Sequence, residues 1–310
     1  MNQLQTMWSI SRRKSLINCP RQYVLRYSRS QNNWNQINNH SAIKHSLNDL
    51  IIRSTRKVML ERLEDHKNGL EWSKRMTSLK IRLGLKSEIS PERYKIIRDS
   101  YQLRDLISSA KVKIDSLWNT TIFRRIINRE IKHWSCLRRT KFYSDGHIDI
   151  FCSPDISYKI QNKWHLLRID FQGEKTNSST ELEGIAMVNW AKNNHFLPVV
   201  TEQYIVHTLK YIKGCWVHEK YIPSDELLQQ SKQLLEKDVN EMNKLVKKMG
   251  PLLDLSQIPL SKNESTCIKC SFKPLCPAKD GLKSSQLEQE AIEYHNAKVY
   301  FELDRRNKVF

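Results

Sequence analysis

Four cysteines have the types and spacing to do metal chemistry: Cys19 near the start, and Cys267, Cys270 and Cys276 near the end. The last three form C-x2-C-x5-C, and two of the four, Cys19 and Cys276, are followed directly by proline. Four thiolates hold either a zinc ion or an iron–sulfur cluster. Zinc fingers draw their ligands from two local pairs. A lone cysteine far upstream of a compact triplet suits instead a group that ties the two ends of one domain together, removing much loop freedom from the unfolded chain. Seven cysteines in all, an odd count with no secretory leader in residues 1–15, argue against a disulfide framework. Cys136, Cys152 and Cys215 read as small buried residues.

Two aspartates form the second candidate. Asp149 lies in D-G-H-I-D-I-F and Asp170 in L-L-R-I-D-F-Q-G-E-K, each after an isoleucine, so each points to the face opposite its neighbour. Carboxylates on adjacent strands can converge on one divalent cation, and oxygen ligands suit Mg²⁺ or Mn²⁺. Two strand-borne aspartates alone equally suit a surface or an ion pair.

The elements that must position these residues follow from pattern. Ser residues from Ser9 suit a helix start, Pro20 suits the first turn of a second helix, and Gln31–Asn39 reads as a loop. Apolar residues recur at helical spacing from Ser41 to about Leu70, and Pro91–Trp134 reads as a long helical stretch. Its Arg124, Arg125, Arg129 and Lys132 suit either a solvated or a phosphate-contacting face. Lys141–Phe151 and Lys163–Phe171 read as two adjacent strands joined by a polar segment. Glu181–Asn193 is helical. Pro198–Val206 and Thr208–Tyr221 look like further strands, the second broken at Lys213-Gly214. Ser224 caps a helix running to about Met249, and Ser284–Arg306 is a polar C-terminal helix. This predicts one α/β domain over 1–310, with a helical insertion at 71–135 and a cysteine-bearing segment at 261–310.

The ordered set of motifs resembles the PD-(D/E)XK nuclease superfamily, and within it the RecB-type nuclease domains that carry an iron–sulfur cluster: AddB-type helicase–nuclease subunits and the CRISPR adaptation nucleases. The resemblance rests on S-x-S…C-P-R-Q-Y with Cys19, His45 in A-I-K-H-S-L, Asp149 in G-H-I-D, Asp170 in I-D-F-Q, and the closing C-x2-C-x5-C. It implies a mixed central sheet flanked by helices. It implies a 4Fe-4S cluster on Cys19, Cys267, Cys270 and Cys276, with zinc as the alternative. It also implies a catalytic Mg²⁺ or Mn²⁺ held by His45, Asp149, Asp170 and the backbone carbonyl of Phe171. Two departures stand out. The motif lysine is replaced by Gln172, which can position a water but carries no charge. Gly173 could permit a bulge that brings Lys175 around instead. The Q-x-x-x-Y of the following helix is here Ala186 and Trp190.

The balance of 52 Lys+Arg against 33 Asp+Glu, a net charge of +19, favours a polyanionic partner. No concentrated basic amphipathic helix and no spanning apolar run favours a membrane, so a cytoplasmic location is expected. Trp8, Tyr23, Tyr27 and Trp134 suit either core packing or stacking on unpaired bases. No G-x-x-x-x-G-K-[ST] is present, so ATP-driven movement would need a helicase or defence-complex partner. A DNA nuclease acting on ends or single strands, or a non-catalytic DNA-binding subunit on the same fold, is the expected function.

Overall fold

The computed structural model describes residues 7–27, 46–73, 75–137, 142–144, 148–173, 178–194, 196–249, 255–261, 264–268, 270, 272 and 276. In chain order the elements are β1 (Met7–Trp8), α1 (Ile10–Asn18), α2 (Pro20–Tyr27), α3 (Leu47–Lys67), α4 (Met76–Glu88), α5 (Pro91–Ile97), α6 (Tyr101–Trp118), α7 (Thr121–Ile127), β2 (His133–Cys136), β3 (Tyr143–Ser144) and β4 (Asp149–Ile150). They continue with β5 (Ile156–Ile160), β6 (Lys163–Asp170), α8 (Ser178–Lys192), β7 (Tyr204–Ile212), β8 (Cys215–Tyr221), α9 (Asp225–Met249) and α10 (Glu264–Ile268). The fold is mixed α/β, in two compact units: Met1–Lys44 with Asp145–Asp149 and Leu234–Phe310, and His45–Ser144 with Ile150–Gln233.

The first unit begins as its sequence dictates. Ser9 is extended and its Oγ accepts the Arg12 N–H at 3.3 Å, capping α1. Cys19 ends α1 in extended backbone (φ −162°, ψ 105°), the conformation a residue before proline prefers, and Pro20 starts α2. Trp8 is fully buried, and its indole N–H donates to Asp238 of α9 at 2.9 Å. Arg13 pairs with the same carboxylate. Arg21, itself buried, donates to the Ile258 carbonyl at 2.6 Å.

The second unit is built on a five-stranded sheet of order β2-β5-β6-β7-β8. All pairs are antiparallel except β6–β7, whose parallel register (Asp170 opposite Lys210) requires the crossover through α8. The β7–β8 turn is Lys213-Gly214 with φ of 47° and 91°, the left-handed pair a two-residue hairpin demands. One sheet face carries Tyr158, Leu167, Ile169, Phe171 and Leu209 into a core with α3, α4, α6 and α7. On the other, Gly184 of α8 brings its backbone against Val206, where an added β-carbon would lie 3.2 Å from that side chain.

Several elements differ from the sequence reading. The stretch from Pro91 to Trp134 divides into α5, α6, α7 and part of β2, because Ser100 interrupts it and caps α6 through the Leu103 N–H at 3.2 Å. The residues that read as a polar joint contain β5, whose I-S-Y-K-I alternates with period 2 and pairs with β6. The Asp149 and Asp170 strands are therefore not partners: β6 lies between β5 and β7, and β4 has only two residues. Residues 198–203 hold a 3-10 turn, so β7 starts at Tyr204. The expected loop at 31–39 and helix at 284–306 lie outside the described residues. Trp8, Tyr23 and Trp134 are core residues, which removes them as base-stacking platforms.

Candidate functional site

In the first unit, Cys19, Cys267, Cys270 and Cys276 line one cavity of about 30 Å³, walled also by Arg21, Gln22, Leu25, Leu260 and Phe272. The α1–α2 break places Cys19, and α10 carries Cys267. Nitrogen donors face the sulfurs. The Gln22 backbone N–H lies 3.5 Å from Cys19 Sγ, the Gln22 side-chain amide 3.8 Å from Cys270 Sγ, and the Arg21 guanidinium 4.0 Å from Cys276 Sγ. For Cys19 the Gln22 N–H favours thiolate over thiol. Burial nevertheless pushes the Cys19 thiol up to about 11, against the pull of the Gln22 and Ser261 backbone groups. The donor set fits a four-thiolate group. Among the described residues no three His, Cys, Asp or Glu side chains are grouped as they would be around a metal ion, so the four cysteines share a cavity without a set coordination geometry.

The remaining cysteines divide. Burial raises Cys136 and Cys152 to about 12, and Cys152 donates to the Glu183 carbonyl at 3.4 Å. Both behave as structural thiols. Cys215 is exposed on β8, against the expectation that it is buried.

In the second unit, Asp170 ends β6, half-buried. The residue before it is clamped on both backbone groups. The Ile169 N–H donates to Asp155 Oδ2 at 2.8 Å, and its carbonyl accepts from Arg56 of α3. Asp155 is completely buried between Arg56 (3.3 Å) and Arg168 (3.7 Å), and Arg168 reaches Glu183 of α8 at 3.0 Å. Beyond Asp170, the Gln172 N–H donates to Asp170 Oδ1 at 2.9 Å, and Gln172 itself is exposed. Gly173 lies so close to β7 that a β-carbon there would come within 2.6 Å of Lys210 Cβ. This close strand approach gives Gly173 a packing reason of its own; Glu174 and Lys175, on which the bulge reading turns, lie outside the described residues, as does His45.

Lys113 of α6 donates to the Phe171 carbonyl at 2.9 Å, the oxygen expected to ligate a metal. Burial lowers the Lys113 pKa and the nearby Asp170 charge opposes that. Its ammonium lies 5.1 Å from the centre of the Tyr211 ring. The same turn of α6 is pinned by Trp216, whose indole N–H donates to the Lys113 carbonyl at 3.1 Å. Opposite Asp170 on β7, buried Lys210 pairs with Glu219 at 2.7 Å. Asp149 belongs to the first unit, at the start of β4. Ala186 and Trp190 are buried on α8, so neither stands in for the missing polar contact. Sequence reasoning missed Arg56, Lys113 and Asp155. Only Arg168 left a signal, a charge two positions before Asp170 in the mostly apolar run L-L-R-I-D.

The same unit holds a row of rings across four strands. Tyr158 stacks on His165 (4.7 Å), His165 on His207 (5.0 Å) and His207 on His218 (5.1 Å). His165 Nδ1 is hydrogen-bonded to His207 Nε2 at 2.7 Å, and His207 Nδ1 to His218 Nε2 at 2.8 Å. Burial lowers His165 to about 4 and His207 to about 3, with Lys220 and Arg125 adding to the first and the neighbouring histidines and Lys220 to the second.

No helix among the described residues is long and apolar enough to cross a membrane. No protein-family model matches the chain, and no curated protein matches it. Among solved structures, one described as the crystal structure of SSO0001 aligns over 73% of this chain and 96% of its own, at 13% identity and a TM-score of 0.27.

Proposed function

We propose that the protein is a metal-dependent DNA nuclease on a PD-(D/E)XK core of the RecB type, hydrolysing phosphodiester bonds at DNA ends or in single strands within a cytoplasmic DNA-processing or defence complex. The observation that carries the reading is Asp170. It ends a central strand of a mixed sheet, the backbone before it is held by buried Asp155 and half-buried Arg56, and Lys113 and Arg56 contribute positive potential beside it. That potential suits a phosphate as well as a carboxylate. Asp170 and the Phe171 carbonyl, with Asp149 and His45 as the motif resemblance implies, would hold Mg²⁺ or Mn²⁺, a cation that supplies a more acidic bound water and charge neutralisation at phosphorus. Asp155 and Arg56 keep the Asp170 backbone in register. Gln172 offers an amide to orient water. Cys19, Cys267, Cys270 and Cys276 would hold a 4Fe-4S cluster, which closes the first unit by joining the α1–α2 break to the segment around α10.

The test is cleavage of end-labelled single- and double-stranded DNA by anaerobically purified protein, with Mg²⁺, Mn²⁺ or chelator, beside Asp149→Ala and Asp170→Asn. Metal-dependent cleavage lost in both variants is expected. DNA left intact under every condition, with binding retained, overturns it. A second reading, a non-catalytic DNA-binding subunit, is favoured by one observation. Gln172 stands at the position of the motif lysine and supplies no charge of its own.

A further inference from the structure

The motif places its lysine where this chain has Gln172, and the missing charge has a candidate source in space. Lys113 comes from α6, 59 positions before Gln172 by their numbers. Its Nζ lies 2.9 Å from the carbonyl of the peptide that joins Phe171 to Gln172. The ammonium thus sits one peptide unit from the position it would have to serve. It is held there from three sides: by that carbonyl, by the Tyr211 ring, and by Trp216, whose indole fixes the Lys113 backbone. Trp216 also donates to Ser116 Oγ at 3.0 Å and packs edge-on against Phe171 at 5.4 Å, so β6, β8 and α6 are locked together at this point. Lys210 does not compete for the role, being buried and paired with Glu219.

We infer that Lys113 is the catalytic cation of the site, replacing in space the lysine that Gln172 replaces in sequence. This rests on the nuclease reading and names a residue the motif does not contain. In the reaction a water oxygen bonds to phosphorus, the bond from phosphorus to the leaving sugar oxygen breaks, and one proton of that water ends on the leaving oxygen. Lys113 stays an ammonium throughout and donates to a non-bridging phosphate oxygen as its negative charge grows. Such a donor is worth most in the transition state. Gln172 orients the water while Lys113 supplies the charge, two tasks that one lysine performs in the motif.

The experiment measures single-turnover cleavage with Mn²⁺ for the full chain as wild type, Lys113→Met, Lys113→Arg, Gln172→Lys and Lys113→Met with Gln172→Lys. Urea unfolding midpoints of each confirm that the variants fold. Lys113→Met keeps the aliphatic stem over Tyr211. It is expected to lose roughly 100-fold or more in rate with DNA affinity changed little. Lys113→Arg should keep part of the rate. Gln172→Lys added to Lys113→Met should recover most of the loss, an outcome a purely structural contact would not produce. Wild-type rate in Lys113→Met overturns the inference and leaves the nuclease standing. So does a loss that Gln172→Lys leaves unrepaired. No cleavage by wild type or by Gln172→Lys, with DNA still bound, overturns the nuclease reading and this inference with it.

Discussion

Asp155 is fully buried, bonded to the Ile169 N–H and flanked by two arginines. Removing its charge leaves Arg56 and Arg168 in low dielectric with one counter-ion fewer, and breaking such a pair typically costs about 3–5 kcal/mol. Asp155→Asn should therefore lower the urea unfolding midpoint, and any cleavage should fall further than Asp170 alone explains, because the backbone carrying it loses its clamp. At the thiol cavity, Cys276→Ser exchanges a soft donor for a hard one. Metal analysis of anaerobically purified protein should show iron and acid-labile sulfide in wild type and little of either in the variant. Zinc in place of iron would show that the alternative four-thiolate group is the resident one. The four cysteines were legible in sequence because their chemistry needs no fold to be recognised. Lys113 was not, since nothing along α6 says which of its lysines will reach a strand 58 residues further on.

The elements whose boundaries sequence reasoning found are those with local physical causes. The α1–α2 break follows from Cys19-Pro20, the start of α9 from Ser224, whose Oγ accepts the Leu227 N–H at 3.2 Å, and the β7–β8 turn from Lys213-Gly214. β5 escaped because Ser153-Pro154-Asp155 before it reads as a loop, although Asp155 is there to serve the strand end. Close approaches are equally invisible until strands and helices are placed. Gly84 of α4 is one: a β-carbon there would fall 2.3 Å from Ser54 Oγ of α3. That hydroxyl donates to the Ile81 carbonyl at 2.9 Å, so it can move only by giving up a buried hydrogen bond. Gly84→Ala should cost about 1–3 kcal/mol by thermal or urea unfolding. The sheet also carries a pH dependence. His165 and His207 titrate lower in the folded chain than the usual 6.5, so the unfolded chain binds more protons between those values. Stability is fully present above pH ~6.5 and is lost as pH falls toward 4 and below. Calorimetry from pH 7.5 to 4.5 should show the melting temperature falling, and His207→Gln should flatten the decline.

At the scale of the whole molecule the dominant quantity is the net charge of +19. A protein neutralising roughly six to ten phosphates loses about 10³–10⁵ in affinity between 50 and 200 mM salt. Fluorescence anisotropy with labelled single-stranded DNA should show a fall of that steepness, linear in the logarithm of salt. Lys113→Met, which removes one cation near Asp170, should shift that line little, because the proposed binding would spread over many charges while the proposed chemistry depends on one. A partner protein with an acidic face would compete for the same surface and weaken DNA binding in the same salt-dependent way.

The row of histidines has one more property. A neutral imidazole carries a single N–H and has a single open nitrogen, and His207 spends both, one toward each neighbour. Its tautomer therefore decides theirs: His165 and His218 must offer whatever His207 lacks. Two arrangements satisfy both bonds, one pointing every proton toward exposed His218 and the other pointing every proton toward His165. The three rings act as a single two-position device, and anything that binds the outer nitrogen of His218 chooses the position for all of them.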